Sequence, residues 1–430
     1  MPFFMKNNTK KIGVIGMWHL GSIYAASLAS LGFQVRAFDY EKKTIENLKK
    51  NIPPLFEPNL VETITKYKEN LSFTSDEKEF FHELDYIFIT FDLPVDDYDR
   101  VDLSLIERVI KSLKKYADPK SVLVVSSQVP VGTCRRIIQK SGKQLLIYFP
   151  ENLRLGTAFD CFLNADRIVI GSDSSALLDT FETDFSGLKT TVIKMGLESA
   201  EMVKHALNSY LAMCISFSSE ISDICERVAA DMNDVVRALK SDKRVSPKAP
   251  LNPGFGFAGG TLGRDIQSLT QISKKNDYKP YLIPSIYKVN RNRIPELIQK
   301  IKRVSPHLKG KHIGILGLTY KPGTNTLRRS LSLELIHHLH REGVLIKAYD
   351  PVIKEQLPGM KYVTVSESYS DFFADNEMVI LMTEWPEFKE IDFEKMAPLM
   401  KKQVVIDTKN FYNKDSLMKL NYIYKGIGLP

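Results

Sequence analysis

Lys11-Ile-Gly-Val-Ile-Gly16-Met-Trp-His-Leu-Gly21 is the stretch on which the fold turns. Its first six residues are apolar, apart from Lys11, or glycine, and they read as a short buried strand. Met17 to Gly21 then open a helix that continues through Ala25-Ala-Ser-Leu-Ala29. A second strand, Gln34-Val-Arg-Ala-Phe-Asp39, ends in an acid about twenty residues further on, the spacing of a dinucleotide-binding βαβ unit. A helix N-terminus offers free amides and partial positive charge to a pyrophosphate, and the carboxylate accepts from a ribose hydroxyl. Asp39 therefore points to NAD rather than NADP. Gly16 and Gly21 fill the first and third glycine positions of the fingerprint, and Trp18 stands at the second, between Met17 and the pair His19 and Leu20.

Working outward, apolar strands are expected at 86–90, 122–126, 144–148 and 167–171, with a helix near 103–116. Strands that are apolar throughout and alternate with amphipathic segments predict a parallel sheet covered on both faces. Residues 199–230 hold hardly a helix breaker and repeat apolar residues at helical spacing, which predicts one long helix suited to joining two domains. Glu201, Lys204 and Asn208 fall three and four apart on it, hence on one face. A lysine-rich connector at 300–311 marks a boundary. A second α/β unit follows, with strands at 311–317, 344–350, 378–382 and 403–407 and a helix at 332–341. The expected fold is α/β: two Rossmann-like doubly wound parallel-sheet domains, 1–195 and 301–430, joined by a long central helix and a helical middle domain, 196–300.

Between these units lies Pro253-Gly-Phe-Gly-Phe-Ala-Gly-Gly-Thr-Leu-Gly-Arg-Asp265. Five glycines in thirteen residues argue against helix and strand alike, because each loses more backbone entropy on ordering than any other residue. Phe255, Phe257 and Leu262 argue against a flexible tether, so the stretch reads as a loop built to approach a ligand.

Composition narrows the class. With 430 residues the chain exceeds one core, and 43% apolar with 26% charged residues is ordinary for a soluble protein. A net charge of +8 suits an anionic ligand such as a nucleotide, and no RNA- or DNA-binding motif is present. The four cysteines, Cys134, Cys161, Cys214 and Cys225, have no metal or redox spacing, which fits a reducing cytoplasm and no bound metal. No apolar run is long enough to span a bilayer, so no membrane is expected.

The glycine stretch resembles the active-site loop of the UDP-glucose/GDP-mannose dehydrogenase family, P-G-x-G-F-G-G-S-C-F-P-K-D, with Thr261 where the family has its nucleophilic cysteine and Arg264 where it has lysine. Further matches run in order. Phe56-Glu-Pro58 is similar to E-P-G-L, Ser127-Gln-Val-Pro-Val-Gly-Thr133 to S-T-V-P-V-G-T, and Pro150-Glu-Asn-Leu-Arg-Leu-Gly156 to P-E-F-L-R-E-G. Glu201, Lys204 and Asn208 match E-x-x-K-x-x-x-N. Gly317-Leu-Thr-Tyr-Lys-Pro-Gly-Thr324 with Arg328 and Ser330 matches G-L-A-F-K-x-x-T-D-D-x-R-x-S, and Tyr349-Asp-Pro351, Thr383-Glu-Trp385 and Asp407-Thr-Lys-Asn410 match later signatures. Gln128 replaces a threonine, Leu155 a glutamate, Thr326 an aspartate and Lys409 an arginine.

The resemblance implies NAD-dependent oxidation of a nucleotide sugar, UDP-linked, at its C6 alcohol, by a homodimer formed through the central helix. It implies that Lys204 polarises or helps deprotonate the substrate oxygen and that Asn208 holds a water or the lysine. Glu151 acts as base or water orienter, and Asp265 fixes the lysine. Ser127, Gln128 and Arg328 would face the cofactor. Asn152, Leu153, Gly256, Phe257, Tyr320, Lys321 and Lys409 would face the sugar nucleotide, with Arg244 reaching across the dimer. In the family a cysteine thiolate carries the second oxidation through a thioester, and a threonine hydroxyl stays protonated without a dedicated base. Three readings follow. One is a single two-electron oxidation, another the full four-electron dehydrogenase giving a uronic acid, and the third an inactive relative that binds nucleotide sugar.

Overall fold

The computed structural model describes residues 10–96, 101–150 and 153–430. They form two compact units that meet in sequence between Leu207 and Asn208.

In the first unit the described strands are β1 (Lys11–Ile15), β2 (Gln34–Phe38), β3 (Leu71–Thr74), β4 (Tyr86–Ile89), β5 (Val122–Val125), β6 (Leu146–Tyr148), β7 (Ile168–Gly171) and β8 (Val192–Met195). Their order in the sheet is β3-β2-β1-β4-β5-β6-β7-β8. Every residue of β4 to β7 is buried because both faces are covered. Val14 and Phe88 enter one apolar cluster with Tyr24 of the first helix, His19–Ser30, while Ile15, Ile87 and Ile89 enter the other with Ile106 and Val109. That division is the two-residue period of a strand.

The sheet departs from the expected all-parallel arrangement at one joint, where β6 meets β7 antiparallel through Tyr148 and Gly171, with β8 then parallel to β7. A strand buried on both faces is apolar whichever way it runs, so its pattern carries no direction.

In the second unit β9 (His312–Leu316), β10 (Leu345–Tyr349), β11 (Val363–Val365), β12 (Met378–Leu381), β13 (Val404–Asp407) and β14 (Ile423–Lys425) are ordered β11-β10-β9-β12-β13-β14, all parallel. This repeats the 3-2-1-4-5-6 order of the first six strands, and both sheets reverse direction of growth beside their first strand, where doubly wound folds bind ligands. The central helix, Leu197–Arg227, is 31 residues long and carries the chain from the first unit into the second. The helices Met232–Ser241, Thr261–Lys275, Leu282–Arg291 and Arg293–Val304 follow it.

One further expectation is corrected. The glycine stretch is irregular only as far as Gly260, and Thr261 to Asp265 form the first turns of the helix Thr261–Lys275. Four of the five glycines precede Thr261, so the entropic objection to helix applies before that residue and lapses after it.

Candidate active site

The β1 turn is shaped by two glycines. Gly16 has φ +102° and a Cβ there would meet the Phe91 ring at 2.7 Å, while a Cβ on Gly21 would fall 1.9 Å from the Gly16 carbonyl oxygen. The first requirement makes the turn, and the second lets the helix His19–Ser30 pack onto the strand. That helix begins at Trp18 without a side-chain cap and has no acid in its first turn, so its leading amides are open to an anion. Met17 and Leu20 bury their side chains in the core, and Trp18 is 49% exposed. Asp39 sits beside the turn, where Oδ2 accepts from the Met17 amide at 2.6 Å and Oδ1 from the Glu41 amide at 2.8 Å. Each carboxylate oxygen has a second lone pair, so ribose hydroxyls can still be accepted. These residues fit a dinucleotide, with Trp18 supplying a Cβ where the backbone approaches the diphosphate.

Ser127 and Gln128 follow β5 and are buried, and the Ser127 hydroxyl faces the Ile89 carbonyl at 3.4 Å. Leu153 is half-buried. Glu151 and Asn152 lie outside the described residues. On the central helix Lys204 is buried, as is His205, whose Nε2 lies 3.0 Å from the Val129 carbonyl. Glu201 is fully buried and accepts from the amides of Gly132 (2.6 Å) and Cys134 (2.8 Å) at the start of the helix Thr133–Ser141. Burial raises its carboxyl pKa, and the two amides pull against that rise.

The second unit holds the glycine loop. Asn290 clamps Phe257 from both sides, its Oδ1 accepting from the Phe257 amide at 2.8 Å and its Nδ2 donating to the Phe257 carbonyl at 2.9 Å. Gly256 has φ +73° and a Cβ there would meet Asn290 Oδ1 at 2.4 Å, so only glycine fits. Phe255 is buried in the apolar cluster under the second sheet, and the Gly259 amide donates to the Arg329 carbonyl at 3.2 Å. Tyr320 packs against Gly259, and burial raises its phenol pKa. The structure thus brings Tyr320 against the glycine loop at Gly259, two residues beyond Phe257, with Lys321 beside Tyr320.

Thr261 is exposed at the first position of the helix Thr261–Lys275, which has no side-chain cap and no acid in its first turn. One turn on, Asp265 is fully buried and its Oδ2 accepts from the buried Asn208 amide. Arg328 is exposed, and Lys409 Nζ lies 3.3 Å from a Glu384 oxygen. Arg244 is exposed and pairs with its neighbour Asp242 at 2.7 Å, so within one chain it joins none of these groups.

Comparison with known proteins decides the family. The NAD binding domain of the UDP-glucose/GDP-mannose dehydrogenase family matches residues 10–186, its central domain 198–292 and its UDP binding domain 314–414. The chain belongs to that family. It is similar to the UDP-glucose 6-dehydrogenase TuaD of Bacillus subtilis, with 34% identity over 98% of this chain and 94% of the relative. It is also similar to a Rickettsia typhi UDP-glucose 6-dehydrogenase, with 31% identity over 97% and 99%. Among solved structures, a UDP-glucose dehydrogenase from Pyrobaculum islandicum superposes with TM-score 0.86 at 26% identity, covering all of both chains.

As a member of the UDP-glucose/GDP-mannose dehydrogenase family, the chain is an NAD-dependent nucleotide-sugar dehydrogenase. When bound, NAD supplies the hydride acceptor, and the open helix start at His19 and the Asp39 carboxylate are the groups that would hold it. No helix of the described residues is long and apolar enough to cross a membrane.

Two carboxylates inside the matched motifs, to which the sequence assigns no role, organise loops of this dehydrogenase. Asp350 repeats Asp39 in the second sheet, accepting from the amides of Leu318 (2.7 Å) and Thr319 (3.2 Å) and from Trp385 Nε1 (3.2 Å). Glu57 accepts from His19 Nε2 and from the amides of Gly156 and Ala158. The Glu-Pro and Asp-Pro pairs mark both positions in the sequence, but these donors lie 31 to 101 residues away along the chain.

Proposed function

We propose that this dehydrogenase oxidises a UDP-linked hexose by one two-electron step and releases a carbonyl product. Thr261 carries the reading. A hydroxyl at the head of a helix remains protonated at neutral pH, whereas the thiol that the family pattern calls for would ionise there and add to an aldehyde. The described cysteines lie elsewhere in the sequence, three of them buried and Cys161 half-buried.

The first oxidation needs no covalent nucleophile. The alcohol carbon gives a hydride to NAD and its hydroxyl gives a proton to a base, so one sugar yields one carbonyl, one NADH and one proton. Lys204 is assigned to stabilise the developing alkoxide, Asn208 to hold a water or that lysine, and Asp265 to fix the lysine; Glu151 is assigned as base or water orienter. Asn152, Leu153, Gly256, Phe257, Tyr320, Lys321 and Lys409 are assigned to the sugar nucleotide. Gly16, Met17, Trp18, His19, Leu20, Gly21, Asp39, Ser127, Gln128 and Arg328 are assigned to NAD.

The working form is a homodimer through the central helix, in which Arg244 reaches the partner's substrate. Tyr210, Phe217 and Ile224 support this, since all three are exposed, apolar and seven residues apart on one helix face. Phe217→Glu should yield monomers in light scattering.

Turnover of a panel of nucleotide sugars, with NADH counted per sugar and the product weighed by mass spectrometry, tests the reaction. One NADH and a mass loss of two hydrogens support it. Two NADH and a uronic acid support the four-electron reading instead.

A further inference from the structure

We infer that Glu57 is a positioning residue that holds the dinucleotide turn and the 153–158 segment in one register for hydride transfer. The inference rests on the assignment above of Leu153 and its neighbours to the sugar nucleotide. Glu57 is 3% exposed. Its Oε2 accepts from His19 Nε2 at 2.9 Å and from the Gly156 amide at 2.9 Å, and its Oε1 accepts from the Ala158 amide at 2.8 Å. His19 is the first residue of the helix that opens toward the diphosphate, directly after Trp18. Ala158 is the first residue of the helix Ala158–Leu163 and stands five residues beyond Leu153. One carboxylate therefore ties the head of the cofactor helix to the end of the substrate segment.

The side chains around Glu57 are inverted with respect to what stability alone would select. Phe56 is 82% exposed and Ile52 is 54% exposed, while the carboxylate between Phe56 and the exposed Pro58 is buried. Burying a charge while leaving a phenyl ring in water costs free energy on both counts. Such a local conflict is retained where it serves a site. Hydride transfer supplies the reason, because reacting atoms must be held about 3–3.5 Å apart and an error near 1 Å costs about 10²-fold in rate. Glu57 removes the freedom of the two segments to slide past one another.

Glu57→Gln keeps the shape but turns an N–H group toward at least one donor. It should lower kcat at least about tenfold and raise KM for both NAD and sugar several-fold. His19→Ala cuts only the helix arm, so it should weaken NAD binding, read by calorimetry without sugar, while leaving the sugar KM near wild type. His19→Gln, which can still donate to Glu57, should restore most of the NAD affinity. Glu57→Gln that stays folded by circular dichroism with unchanged kcat and both KM values would overturn the inference, as would equal NAD affinity in wild type, His19→Ala and His19→Gln. If Glu57→Gln does not fold, the His19 pair carries the test. Calorimetry reads the NAD arm even if the wild type turns over no sugar on the panel, so failure of the proposed reaction is distinguishable from failure of this inference.

Discussion

The Asn208 side-chain amide donates to the Asp265 carboxylate, and both groups are buried although 57 residues separate them in sequence. The bond locks the middle of the central helix to the first turn of the helix that Thr261 begins. Removing the acceptor leaves a buried donor unpaired, at about 1–3 kcal/mol. Asp265→Ala should therefore lower the urea midpoint by that equivalent and abolish turnover. Asp265→Asn keeps an acceptor oxygen without the charge, and should recover stability but little activity. An Asp265→Ala protein as stable as wild type would show that the pair contributes nothing.

Gly256 is held at φ +73° against Asn290. A methyl group at this position must displace Asn290 Oδ1 and breaks its hold on Phe257, in addition to a backbone strain of about 1–3 kcal/mol. Gly256→Ala should lower thermal stability and raise the sugar KM with the NAD affinity unchanged. A crystal structure of the variant with the Asn290 clamp intact would contradict this account.

Thr261→Cys places a thiol at an uncapped helix N-terminus, where the helix dipole lowers its pKa. The variant should gain rapid alkylation by iodoacetamide at residue 261 and shift the NADH yield from one toward two per sugar. Unchanged stoichiometry in a variant that alkylates readily would mean that something other than the thiol sets the number of steps.

Glu201 gives a pH dependence. Burial raises its folded-state carboxyl pKa, so the native chain holds that proton at pH values where the unfolded chain has released it. Its contribution is present below the ordinary carboxylate pKa of about 4.3 and declines as pH rises from there through the raised value. Glu201→Gln should flatten that decline in urea midpoints measured across the mildly acidic range. A variant profile parallel to wild type would assign the slope to other groups.

Much of the architecture was legible because buried strands and long helices leave periodic apolar marks. The strand at Lys11–Ile15, the helix after it and the 31-residue central helix all follow from such marks. The edge strands β3, β8, β11 and β14 carry exposed residues and so lack the unbroken apolar run that marks β4 to β7, and the direction of β7 leaves no mark at all. The helical start at Thr261 was hidden by counting glycines over the whole stretch when they cluster at its front.

By itself the sequence determined the chemistry on offer: an open helix start with an acid after the second strand, a lysine and an asparagine one turn apart, and a threonine where a thiol is expected. Those are properties of residue type and local spacing, which the chain carries whatever its fold. Only the tertiary structure decided which carboxylates do structural work. Glu57, Glu201, Asp265 and Asp350 are buried against partners tens of residues away. A carboxylate is costly to bury until amides and imidazoles from distant segments surround it, and no local pattern records where those donors come from.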